Sequence, residues 1–246
     1  MISVLTFMYG LIFGSFYNVL IYRLPNDESI IQPPSSCGNC HQQLKALDLI
    51  PVLSYVLLRG RCRYCNHKVS IQYPLIEIAT GFIFLILFKI YGLNIYYFKA
   101  VVLASIVLVM SMIDLKHYII PDEISIFTIL SRLVFFFILR DITFQSLLLA
   151  FLLGGGFLFI IALIGPMGGG DIKIMAGFAL FLGLEKTIMA LMLSFIFGGI
   201  IGLFLILFKI KGRKDQMPFG PYLGLGSLVS FLYFSEIFTW YINILY

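Results

Sequence analysis

Charge is what this chain lacks. Of its 246 residues only 12% are Asp, Glu, Lys or Arg, against about 25% in an ordinary soluble domain, and residues 142–170 contain none at all. So few charges exclude a solvated globule. Hydrophobic residues make up 61% and the mean hydropathy is +1.02, the composition of a polytopic membrane protein. Also missing is a basic segment ahead of the first apolar run: residues 2–22 follow Met1 directly and Arg23 comes after them. That order reads as a retained helix and excludes a cleaved signal. There is no glycine fingerprint of a dinucleotide-binding unit, and the single long polar stretch, residues 24–73, is too short for a doubly wound nucleotide domain.

What is present is a series of apolar runs. A bilayer core about 30 Å thick needs roughly 20 such residues per helix, and eight spans are predicted: residues 2–22, 74–91, 97–114, 122–139, 143–164, 172–184, 187–208 and 218–240, the sixth being the shortest. Lys and Arg gather in cytoplasmic loops. With the N-terminus outside, the inner side receives Arg23, Lys45, Arg59, Arg61, Arg63, Lys68, Lys116, Lys173, Lys209, Lys211, Arg213 and Lys214, most of the 17 basic residues. The opposite orientation would put these outside. Basic inner loops account for the net charge of +5 without nucleic acid and leave the lipid bilayer as the partner. The expected architecture is an all-α polytopic membrane protein of about eight transmembrane helices, in three parts: a first helix (1–23), a cytoplasmic insert (24–73) and a membrane core (74–246).

All four cysteines fall in the insert, as CGNC at Cys37 to Cys40 and CRYC at Cys62 to Cys65. Two C-x-x-C pairs supply four thiolates from two tight turns, which suits tetrahedral zinc. Disulfides are the alternative, but a cytoplasmic loop is kept reducing. A site closed by four cysteines leaves no position for substrate, so the zinc is expected to be structural, giving shape to an insert with little core. His41 and His67 are read as surface residues.

Two acidic residues stand against apolar runs. Asp114 closes the third span in SMIDLKHYIIPDE, and Asp171 follows the glycines Gly168, Gly169 and Gly170 at the start of the sixth. The topology puts both near the inner interface, where a carboxylate marks function by default. Singly, each reads as well as a helix cap. If the two approach each other, they hold one proton between them near neutral pH. The ionised member can then take a proton from water while the protonated member hydrogen-bonds a scissile carbonyl, the chemistry of aspartic hydrolysis. The glycines would allow close approach of substrate to the backbone.

The blocks GSFYNVLIYRLP (14–25), PVLSYVLLRGRCRYC (51–65), YPLIE (73–77), IDLKHYIIPDEIS (113–125), GGGDIKIMA (168–176) and PFGPYLGLG (218–226), in this order, resemble bacterial type IV prepilin peptidases, membrane aspartic proteases that share a G-x-G-D element. The resemblance covers nearly the whole chain. It implies that Asp114 and Asp171 are the catalytic pair, and that the substrate is a prepilin, pseudopilin or competence pilin-like precursor cut on the cytoplasmic side of the inner membrane. It also implies that the new N-terminus is methylated with S-adenosylmethionine, an activity with which the cysteine insert is associated.

Asp122 and Glu123 begin the fourth span behind Pro121, a helix-start arrangement, with Asp122 the reserve should Asp114 prove replaceable. Glu77 matches an acidic position of the family without a readable role. Arg132 lies inside the fourth span and is expected to face the bundle or snorkel. The competing reading is a secondary transporter or proton-coupled channel, which predicts midplane sites and an internal repeat; the sequence has neither.

Overall fold

The computed structural model describes residues 1–165, 167–212 and 215–245. Among them are nine α-helices and no β-strand: α1 (Ile2–Arg23), α2 (Leu53–Leu57), α3 (Gln72–Tyr91), α4 (Ile95–His117), α5 (Asp122–Leu139), α6 (Phe144–Ile164), α7 (Gly169–Leu182), α8 (Leu184–Leu207) and α9 (Gly220–Leu245). Eight coincide with the eight expected spans, and α2 is a short helix inside the insert. Six (α1, α3, α4, α6, α8 and α9) are long and apolar enough to cross a membrane, so this is a multi-pass membrane protein. α5 carries Asp122, Glu123 and Arg132, and α7 has only 14 residues. Arg213 and Lys214, counted above among the inner basic residues, lie outside the described residues.

Two helix ends differ from expectation where it matters. α4 does not close at Asp114 but continues to His117, with Lys116 and His117 in its last turn, where cations favour the negative helix end. α7 starts at Gly169 with Gly168 as its N-cap. Gly169, Gly170 and Asp171 are therefore the first helical turn and not the loop before it.

The chain divides into two compact units, residues 1–101 and 102–246. In the first, α1 and α3 cross at their glycines. A Cβ added to Gly10 would lie 2.6 Å from the Gly81 Cα, and one on Gly14 would lie 2.6 Å from the Glu77 Cα. Small residues four apart are how helices associate in lipid, where there is no hydrophobic drive between apolar surfaces. The insert is tied to these helices by polar bonds. Arg23, the last residue of α1, donates to the carbonyls of Ser29 and Pro33 at 2.8 and 2.6 Å, and the Val52 N–H donates to Glu77 on α3 at 2.7 Å, while Asn18 Nδ2 joins α1 to the first turn of α3 at the Tyr73 carbonyl, 3.1 Å away.

In the second unit α7 is the central helix. It packs against α5, α6, α8 and α9, and everything from Ile174 to Leu182 except Leu180 is buried. The surrounding helices come close through further small residues: a Cβ on Gly154 would meet the Ala179 Cβ at 2.8 Å, and one on Gly177 would meet the Thr128 Cγ2 at 2.9 Å. A helix enclosed this way reads as apolar on all sides. Its N-terminal turn alone is polar and open.

Candidate active site

Three helix ends and one turn meet around Asp114. Directly after α4 comes Tyr118, whose left-handed φ of 57° turns the chain out of the helix, with the Tyr118 N–H donating to the Asp114 carbonyl at 2.9 Å. The turn delivers Ile120 against the first residues of both α7 and α9. A Cβ on Gly170 would lie 3.0 Å from the Ile120 Cβ, and one on Gly220 would lie 3.2 Å from the Ile120 Cδ1. Gly220 is the first residue of α9, and Pro221 behind it suits a first helical turn.

Asp114 is 4% exposed. Its Oδ2 accepts the backbone N–H of Gly220 at 2.9 Å, so a carboxylate on α4 satisfies one of the free donors at the start of α9. Asp171 is half-buried in the first turn of α7, and the Asp114 carboxylate is near enough for its charge to act on it. Each acid thus sits at the positive end of a helix, which offsets part of their mutual repulsion. The capping reading is correct for Asp114 in an unexpected way, since the helix it caps lies 106 residues further along the chain.

The glycines divide by position. A Cβ on Gly168 would lie 3.3 Å from the Asp171 Oδ2, Gly170 meets Ile120, and Gly169 faces open space. Asp122 belongs to a different contact. It is exposed and takes the Lys173 ammonium on both oxygens, at 2.7 and 2.9 Å; Glu123 is exposed beside it. Arg132 is buried and paired with Asp141 at 2.9 Å. Glu77, in the first unit, is 6% exposed and accepts the N–H of Val52 at 2.7 Å. Val52 has φ 61° and ψ −49°, and the Leu53 N–H reaches across it to the Pro51 carbonyl at 2.6 Å. That is a tight γ-turn at a β-branched residue, which is strained backbone.

Gly220 is the residue that sequence reasoning missed. It was part of the PFGPYLGLG block but had no role. Its signal was a glycine between two prolines at a helix start, where most residue types would serve unless something pressed against the backbone.

The four cysteines converge in the insert, with all four Sγ atoms within 4.8 Å of one another and those of Cys37 and Cys65 3.8 Å apart. Four sulfurs at about 2.3 Å from a tetrahedral ion stand roughly 3.8 Å apart, so the donor set fits zinc. The two turns repeat one pattern. The Cys37 N–H donates to the Gln42 carbonyl at 3.0 Å and the His41 N–H to the Cys37 carbonyl at 2.9 Å; Cys62, His67 and Asn66 do the same at 2.9 and 3.0 Å. His41 and Asn66 carry the left-handed turns, with φ of 55° and 57°. Backbone N–H groups of Cys40 and then Asn39 bring the Cys37 thiol down to about 6, and the His67 N–H leads in lowering Cys65. At Cys40 the Gln42 N–H acts downward but is outweighed by desolvation and the neighbouring sulfurs, which push that thiol up to about 11. Asp48 fastens the second turn, accepting from Arg63 Nε at 2.6 Å and the Tyr64 hydroxyl at 3.1 Å.

The fold and site together define a multi-pass membrane protein with two carboxylates brought together at helix ends and a separate four-cysteine centre. Comparison with known proteins narrows the class. The profile described as Bacterial Peptidase A24 N-terminal domain matches residues 8–91, and that described as Type IV leader peptidase family matches residues 101–203. A protein of Bacillus subtilis (strain 168) named Prepilin leader peptidase/N-methyltransferase is 36% identical over 99% of this chain and 98% of its own length. Proteins of the same name from Aeromonas hydrophila and Legionella pneumophila are each 30% identical, over 97% and 96% of this chain and 93% of their own lengths. No solved structure matches. The chain belongs to the type IV leader peptidase family and is a membrane peptidase.

Proposed function

We propose that this protein is an aspartic endopeptidase that removes the short basic leader of type IV prepilin-like precursors at the cytoplasmic face of the inner membrane, and then methylates the new N-terminus. The observation that carries this reading is the packing of Ile120 against the first residues of both α7 and α9, which puts Asp171 in the first turn of α7 beside the α9 start whose Gly220 N–H holds Asp114.

The chemistry follows from a shared proton. Two neighbouring carboxyl groups favour the singly protonated state. The ionised acid draws a proton from a water molecule, which attacks the scissile carbonyl. The protonated acid hydrogen-bonds the carbonyl oxygen and supports the charge that develops there. Breakdown returns a proton to the leaving amine. Gly220 holds Asp114 in one orientation through its N–H, Gly168 keeps the space beside the Asp171 carboxyl clear of a side chain, and Gly169, which faces open space, lets an extended substrate backbone come close.

The labour is divided along the chain: residues 1–23 as first helix, 24–73 as insert and 74–246 as peptidase core. Cys37, Cys40, Cys62 and Cys65 would hold a structural Zn2+ that crosslinks the two turns of the insert, and its chemistry is confined to that. The names of the relatives imply S-adenosylmethionine as methyl donor in the second reaction. No step of peptide cleavage runs through either group.

The test is leader removal by the purified protein in detergent, compared with Asp114→Asn and Asp171→Asn. Each substitution keeps size and shape but removes the carboxyl needed for proton exchange, and each should abolish cleavage in a protein that remains folded. Normal cleavage by either variant would refute the reading.

A further inference from the structure

α7 has 14 residues, roughly 21 Å at 1.5 Å per residue, and so is shorter than a hydrocarbon core about 30 Å thick. Its last turn is buried, and carbonyls freed at a helix end are expensive where water is absent. Their partners are specific. The Gly183 N–H donates to the Ala179 carbonyl at 2.9 Å, and Thr187 Oγ1 donates to the Gly183 carbonyl at 2.7 Å. The Leu180 carbonyl is met by an arginine: Arg132 Nε donates to it at 2.8 Å. Arg132 is 1% exposed and the largest fully buried side chain described. Its Nη2 donates to Asp141 Oδ1 at 2.9 Å.

Arg132 lies on α5, and Asp141 follows the C-cap of that helix. The guanidinium therefore joins α5 and its exit to the end of α7. The two helices run parallel, and their contacts recur along their length: Asp122 with Lys173, Thr128 against Gly177, Arg132 with Leu180, and Phe135 edge-on to Phe181 with centroids 6.4 Å apart. The first is exposed and screened by solvent. The second and fourth are van der Waals contacts, which fix separation better than they fix sliding along the axis. Only the third is a buried, directional, charge-assisted bond. Leu180 follows Asp171 by nine residues in one unbroken helix, roughly 13.5 Å. What holds Leu180 at its height holds Asp171 at its own.

We propose that Arg132, braced by Asp141, is a positioning residue that sets the axial height of α7 and thereby the alignment of the Asp171 carboxyl with Asp114. This rests on the reading of Asp171 as a catalytic acid. Arg132 touches no reacting atom; it acts through the helix.

The deciding variant pairs Arg132→Met with Asp141→Asn. It removes both charges of the ion pair, so no lone charge is left in the interior, but it also removes the bond to Leu180; Lys186, which faces Asp141 as well, keeps Glu236 as an acidic neighbour. The expected result is a protein that melts within several degrees of the parent, with kcat for leader cleavage lowered about 10²-fold, the scale of an ångström-sized misalignment, and KM little changed. An ion pair that served only stability predicts wild-type kcat in this variant, and that outcome overturns the proposal. Should the pair of substitutions prevent folding, Arg132→Lys decides. It keeps the charge beside Asp141 but lacks the fork that reaches both partners. Its expected kcat is about 10-fold low, again without a change in KM, on the same alignment argument, and wild-type kcat there also overturns the proposal. Asp171→Asn run in parallel separates the two levels: activity in that variant removes the underlying reading, whereas its inactivity beside a fully active Arg132 variant removes only the role of Arg132.

Discussion

Gly220→Ala adds one methyl group at the point where α9 begins. Built on the present backbone, that Cβ would stand 2.7 Å from Asp114 Oδ2, 2.8 Å from Met110 Sδ and 3.2 Å from Ile120 Cδ1, where ordinary contact begins near 3.4 Å. Met110 has rotatable bonds and can yield. The carboxylate has less freedom, because the same residue supplies its N–H partner at 2.9 Å: moving Asp114 away from the methyl group moves it away from the donor. A hydrogen bond to a charged group contributes about 1.5–3 kcal/mol. A misplacement approaching 1 Å at a reacting group costs about 10²-fold in rate, which corresponds to about 2.7 kcal/mol. The two arguments agree on a loss of about 10²-fold in single-turnover leader cleavage. The assay is a gel-resolved time course in detergent, with Gly199→Ala on α8, where an added Cβ meets nothing within 4 Å, as the control for a glycine-to-alanine change in a helix. Cleavage by a folded Gly220→Ala protein within threefold of the parent would refute the reasoning.

Asp122→Asn should leave cleavage within about threefold, because it breaks only an exposed pair with Lys173, a class of interaction contributing at most about 1 kcal/mol; loss of activity on the scale of Asp114→Asn would instead promote Asp122 to the catalytic pair. Cys37→Ser or Cys62→Ser should remove one equivalent of zinc by metal analysis and make the insert sensitive to protease, with folding or methylation harmed more than cleavage. Cleavage should follow a bell-shaped pH profile, falling on the acid side when both acids are protonated and no base remains, and on the alkaline side when both are ionised and no donor remains; a plateau extending into alkaline pH would contradict a shared proton. Asp48, whose carboxyl Arg63 holds below the usual range, contributes stability to the insert that is present above its unfolded value of about 3.9 and lost as pH falls through its lower folded value. Hydrogen exchange of the insert should therefore be faster in Asp48→Asn than in the parent at pH 7, with the difference shrinking only once the pH falls below about 3.9.

Much of this architecture is legible in the sequence alone. Long runs without charge mark helices in a membrane because lipid offers no partner for backbone groups, and eight runs became eight helices. The paired C-x-x-C turns declared a four-thiol centre because each spacing is local, closed by its own backbone bonds. Asp114 and Asp171 stood out because a carboxylate beside apolar runs is costly enough to require a reason. Their meeting was not legible. In a soluble helix an apolar stripe reveals the face turned inward, but in lipid the outer face is equally apolar, so the pattern along α4, α7 and α9 says nothing of which sides touch. Glu77, Arg132 and Gly220 were therefore only letters in a row until the fold gave them the Val52 N–H, Asp141 with the Leu180 carbonyl, and the Asp114 carboxylate. Composition and local spacing by themselves determined the solvent, the helices and the cysteine turns, since those depend on neighbours in the chain. What holds Asp114 and the helix that carries Asp171 in place was decided by packing in three dimensions, because the bonds responsible join residues 48 and 106 positions apart.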